Sequence, residues 1–208
     1  MIVDQLSSAI PNSGLIDEAT SLLEGAGYEV DYVPGEQVTV DFYRHLPDGR
    51  YDVVLLRSHV ARENVNGAWG AATLFTSEPV DASIKERGLP LDLLGIVTNT
   101  YEPGKRYVGV RPTFIEQALA GYLDDATIIL MGCDGMLDDA LALAFIARGA
   151  KEFISWDYPV TPEHNDVAAS RLLRNLLLDR DPVKIAVADT MAEVGADPAF
   201  GARLRSYP

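Results

Sequence analysis

Two apolar runs set the frame for this chain: Thr127-Ile128-Ile129-Leu130-Met131-Gly132 and Tyr51-Asp52-Val53-Val54-Leu55-Leu56. Short apolar runs of this kind, with little polar alternation, read as strands covered on both faces, the situation of a parallel sheet under helices. Each run stops at a chemically capable residue. The first is followed directly by Cys133, the second by Arg57-Ser58-His59. Open α/β sheets gather their functional groups just past the carboxyl ends of parallel strands, so a Cys–His dyad is the leading candidate site.

The remaining pattern agrees with a layered α/β chain. A short strand over Met1–Gln5 precedes the Pro11-Asn12-Ser13-Gly14 loop and an amphipathic helix from Leu15 to Leu23, closed by Gly25 and Gly27. Tyr28–Val33 alternates as a second strand, Val38–His45 reads as a short helix or turn, and Tyr51–Leu56 is the third strand. From Val60 to Arg111 glycines and prolines such as Gly67, Gly70, Pro79, Gly88, Pro90, Pro103 and Gly104 cut the chain into short β-like pieces. This stretch is expected to be an irregular or β-rich insertion beside the active-site edge. Pro112-Thr113 opens a helix to Leu123, and the fourth strand runs into Cys133. A small-residue helix then spans Asp138–Arg148, a fifth strand Lys151–Trp156, and two helices follow over 162–178 and 182–194. The order predicts a single domain, residues 1–208, folded as an α/β three-layer sandwich with a mainly parallel central sheet.

Composition narrows the chemistry. The lone Cys133 forms no intramolecular disulfide and supplies no multi-thiolate zinc site, and His45, His59 and His164 are not spaced as metal ligands, so no metal is expected. No P-loop and no G-x-G-x-x-G opens a helix, and no cofactor is expected. A formal charge of −14 argues against nucleic acid and anionic membranes as partners. No apolar stretch reaches the roughly 18 residues of a membrane span. Met1-Ile2-Val3-Asp4 does not open a signal peptide, so the expected compartment is the cytoplasm.

At the candidate site the residue types suit acyl transfer. A cysteine attacks as thiolate, and a neighbouring imidazole takes or balances its proton. Gly132 and Gly135 flank Cys133-Asp134, leaving room for backbone N–H groups to face a developing oxyanion. His45 reads as a surface helix-end residue and His164 as a solvated residue of a first turn. Ser77 lacks a strand-to-helix elbow around it. Trp69, Tyr101 and Tyr107 are candidates for a lid or a contact surface.

The segments Val53-Val54-Leu55-Leu56-Arg57-Ser58-His59 and Ile128-Ile129-Leu130-Met131-Gly132-Cys133-Asp134-Gly135 resemble the two catalytic strand ends of the caspase-like cysteine peptidases, a group that includes caspases, metacaspases, gingipains, separase and CHAT domains. Cys133-Asp134-Gly135 fits the nucleophile signature, while His59 lies further upstream than in caspases; the 60–111 segment accounts for the excess. The stretch from Ala140 to Trp156 is similar to the helix, Gly-Ala turn and strand that follow the nucleophile in CHAT domains. One position departs: the family usually has Gly after the catalytic His, and this chain has Val60.

The resemblance implies a caspase-like fold and a cysteine peptidase acting on a peptide or protein substrate, with His59 and Cys133 catalytic and the backbone N–H groups of Val60 and Cys133 at the oxyanion. Ser155-Trp156-Asp157 resembles the segment that lines the caspase primary specificity pocket. An Asp157 where caspases have Arg reverses the expected charge preference to basic residues before the scissile bond. Trp156 would line that pocket, and Asp4 and Asp134 would add negative potential at its mouth. The alternative is a non-catalytic caspase-like module that binds a peptide or protein.

Overall fold

The structure, a computed structural model, describes residues 1–65, 68–81 and 89–208. Its centre is a six-stranded sheet of β1 (Ile2–Asp4), β2 (Tyr32–Pro34), β3 (Val53–Arg57), β8 (Thr127–Met131), β9 (Glu152–Trp156) and β10 (Leu204–Tyr207). The spatial order is β2-β1-β3-β8-β9-β10; the first five are mutually parallel and β10 runs antiparallel to β9 at the edge. Apolar side chains leave both faces of the strands, which is why these runs do not alternate with polar residues. Ile2, Leu55, Ile129 and Ile154 pack against α1 (Ser13–Gly25), α5 (Pro162–Leu177) and α6 (Val183–Val194). Val3, Val54, Leu56, Ile128 and Leu130 pack on the other side against α2 (Val40–Arg44), α3 (Pro112–Ala118) and α4 (Ala140–Ala147). The result is a mainly parallel sheet flanked by helices, an arrangement compatible with a three-layer sandwich. Among the described residues no helix is long and apolar enough to cross a membrane.

The 60–111 stretch forms a second, four-stranded antiparallel sheet in the order β4-β5-β7-β6, from β4 (Val60–Val65), β5 (Ala68–Pro79), β6 (Leu94–Val97) and β7 (Tyr107–Val110). Val60, Leu74, Leu94, Val108 and Val110 join the core on the α3–α4 side, so this sheet is packed against the body of the domain. The chain passes from the central sheet to the second one across Ser58-His59.

Local chemistry explains where elements begin and end. Asn12 caps α1 by accepting from the Leu15 N–H at 3.1 Å, and Leu15, Ala19, Leu22 and Leu23 line its buried face. The helix closes with Gly27 at φ +94° and a bond from the Tyr28 N–H to the Leu23 carbonyl, the pattern of a Schellman cap. That cap uses the start of the expected Tyr28–Val33 strand. Only Tyr32–Pro34 is left to pair, matched to the three residues of β1. The helix expected to reach Leu123 stops at Ala118 because the Ala120 and Leu123 N–H groups bond to Arg44 and Arg148 instead. The edge strand β10 was not expected: Leu-Arg-Ser-Tyr is too short to show alternation.

Candidate functional site

Strand register brings the two candidate residues to one level. Arg57 of β3 lies opposite Met131 of β8, so His59 and Cys133 each sit two residues beyond the last pair. Gly132 is required there. A Cβ on it would come within 2.3 Å of the Ser58 carbonyl oxygen, so a side chain would force the two strand ends apart. The Ser58 N–H bonds the Met131 carbonyl, the His59 N–H donates to Gln5 Oε1 at 3.0 Å, and the His59 carbonyl accepts from Phe75.

The His59 imidazole is held between aromatic rings, Phe75 at 5.3 Å and Tyr101 at 5.5 Å, the latter stacked at 26°. Its Nε2 is buried and has no hydrogen-bond partner among the described residues. Burial pushes its pKa down to about 4, with Glu102 opposing and Arg57 adding to the shift. The Cys133 thiol donates to the Val160 carbonyl at 3.6 Å and accepts from the Val160 N–H at 3.5 Å. Burial pushes its pKa up, and the hydrogen bond from Val160 opposes that only in part. Near neutral pH both groups are therefore uncharged, and the resting site holds a thiol and a neutral imidazole rather than an ion pair.

His59 and Cys133 line a common cleft of about 480 Å³ together with Val60, Phe75, Tyr101 and Glu163. They also line a narrower recess beneath it, with Ser58 and Asn165. The cleft lies outside the carboxyl ends of β3 and β8, next to the point between β1 and β3 where the strand order reverses, the usual ligand position in doubly wound sheets. A larger groove of about 510 Å³ between α1 and α5 does not contain the dyad, but it shares Pro162 and Glu163 with the cleft.

The other sequence-selected residues are placed elsewhere. Trp156 is fully buried and its indole N–H donates to Asn165 Oδ1, so it cannot form a pocket wall open to a ligand. Asp157 faces the β10 edge: its carboxylate accepts from the Arg203 N–H at 2.8 Å, and its own N–H bonds the Arg203 carbonyl. This carboxylate serves as a backbone clasp just before β10 and does not line the cleft that holds Cys133, so the basic preference drawn from Asp157 finds no support in its placement. Asp4 is buried in an ion pair with Arg57 at 2.8 Å. Asp134 stands at φ +58° in the turn after Cys133, its N–H bonded to the Tyr158 carbonyl and one carboxylate oxygen buried without a partner among the described residues; burial pushes its pKa up. None of these four lines the cleft.

Several contributors were missed in the sequence. Arg57 donates to Asp4 and, through two nitrogens, to Asp166, a buried cluster at the end of β3, two residues before His59. Asp197 accepts from the Thr161 N–H and hydroxyl and from the Ala199 and Phe200 N–H groups, so one carboxylate ties together the loops that bring Thr161 and Phe200 to the cleft. Asp197-Pro198 is an ordinary turn signal, and nothing in one sequence says which turn it anchors. No protein-family model matches the chain, and no curated protein matches it.

Proposed function

We propose that the protein is a cysteine peptidase of the caspase-like class that works through the His59–Cys133 dyad. The observation that carries this reading is that one nucleophilic and one basic side chain, supplied by adjacent parallel strands at matching register, line a single open cleft. A peptide carbonyl in the cleft is attacked by Cys133 Sγ while the thiol proton passes to His59. The tetrahedral intermediate collapses to a thioester as His59 returns that proton to the leaving amine. Water, deprotonated by His59, then releases the carboxylic acid and restores the thiol. Backbone N–H groups of Val60 and Cys133 are assigned to the oxyanion.

Because the resting pair is neutral, His59 acts as a general base at the moment of attack. Its unpartnered Nε2 is free to take a proton. The second reading, a non-catalytic caspase-like module that binds peptide, is favoured by the protonated thiol held on Val160 and by Val60 in the place of glycine. Hydrolysis of a fluorogenic peptide mixture separates the two. Turnover lost in both Cys133→Ser and His59→Ala supports the peptidase; peptide binding unchanged in these variants, with no turnover in the native chain, supports the module.

A further inference from the structure

The wall of the cleft carries one acidic side chain. Among the described residues that line it, Glu163 is the single carboxylate, and no Lys or Arg is present. Glu163 sits in the first turn of α5 just after Pro162, where the helix terminus favours a negative charge. Three carboxylates line the adjoining α1–α5 groove, and two of them are already held: Glu18 by Ser170 and Arg174, Asp166 by Arg57 and Asn12. Of these carboxylates only Glu163 also lines the cleft, and Pro162 beside it belongs to both cavities as well. The rings of Tyr101 and Phe200, each about half exposed, line the same cleft, Tyr101 with one face stacked on His59. A carboxylate beside aromatic faces is a setting that recognises an ammonium or guanidinium group.

We infer that Glu163 selects a lysine or arginine side chain of a peptide bound beside Cys133, with the peptide continuing over Pro162 into the α1–α5 groove. The inference rests on the reading of the cleft as a peptide site, and it moves the charge selection from Asp157 to Glu163. Cysteine alkylation tests it without requiring turnover, since Cys133 is the single cysteine and intact mass reports its modification directly. Rates are compared for iodoacetamide and for the cationic N-(2-aminoethyl)iodoacetamide, in the native protein, Glu163→Gln and Glu152→Gln. The last removes an equal charge at the amino end of β9, away from the cleft, and so controls for the general pull of an acidic protein on a cation.

The native protein and Glu152→Gln are expected to prefer the cationic reagent about three- to tenfold beyond the ratio of a free thiol, with the preference lost in Glu163→Gln. A preference absent from the native protein, or one that survives Glu163→Gln, overturns the inference. A thiol that neither reagent reaches in the folded protein overturns it as well, together with the peptidase reading. His59→Ala separates the two: slower reaction with both reagents alike supports the dyad, while an unchanged rate counts against the dyad and leaves the role of Glu163 to be decided by the charge ratio.

Discussion

Two clusters stand two residues apart on the same strand end and are built on opposite rules. Arg57 is fully buried, and its guanidinium donates four hydrogen bonds, to Asp4, to the Ile10 carbonyl and twice to Asp166. His59, two residues further on, keeps a buried nitrogen with no hydrogen-bond partner among the described residues, and it lines one cleft with a thiol that is held by two weak sulfur contacts. Those four bonds fix the ends of β1, β3 and α5 to one another. Incompleteness leaves the dyad with the hydrogen-bonding capacity that a reacting molecule would use. A buried polar atom without a partner costs stability, and here it belongs to a residue that lines the same cleft as the nucleophilic side chain.

The comparison breaks first if the ion cluster proves dispensable. Arg57→Met leaves two buried carboxylates facing each other, and urea denaturation should show a loss of about 3–5 kcal/mol, or no folded protein. Removing its counterpart, the imidazole, in His59→Ala should shift stability by less than about 1 kcal/mol at pH 7.5, because a cavity is offset by relief of an unpaired nitrogen. Equal losses in the two variants would erase the distinction.

Acid should expose the same asymmetry. The His59 pKa is lowered in the fold from 6.5 to about 4, so the unfolded chain binds a proton that the native state refuses. Its contribution therefore declines as pH falls from about 6.5 to about 4 and levels off below, a loss on the order of 3 kcal/mol. The difference between the native protein and His59→Ala in denaturation midpoint, followed across that window, isolates it; a constant difference would show an imidazole that is not buried as described.

Cys133 sharpens the contrast from the other side. With its thiol pushed up, iodoacetamide modification should keep rising through pH 9 and show no acid plateau between pH 5 and 8, which an ion-paired thiolate would give. The smallest effect belongs to Asp157→Ala. Loss of one hydrogen bond to Arg203 at the sheet edge should cost about 0.5–1.5 kcal/mol and leave Cys133 modification rates as they were.

How far the sequence led follows from the range of its signals. Thr127–Met131 and Val53–Arg57 were legible because burial on both faces writes itself as an unbroken apolar run, and the residues after them were then fixed by chain geometry. The paired position of His59 and Cys133 depended only on that. The surroundings did not. Trp156 and Asp157 were assigned to a pocket by resemblance, yet the direction each takes is set by Asn165 on α5 and by Arg203, just before an edge strand with no readable pattern. Glu163 looks like any acidic residue of a first helical turn until Tyr101, contributed by the segment after β6, and Phe200, from beyond α6, are brought to the same cleft. Long-range neighbours decide such roles, and a single sequence carries no record of them.

The account turns on one proton shared between two strand ends. The most direct measurement is the second-order rate at which a peptidyl chloromethyl ketone with a lysine next to the reactive group modifies Cys133, read by intact mass in the native protein and in His59→Ala. Loss of a general base should slow the reaction about 100-fold, with the variant still folded. Equal rates in the two proteins would contradict the dyad and leave Cys133 a thiol that only happens to stand beside a histidine.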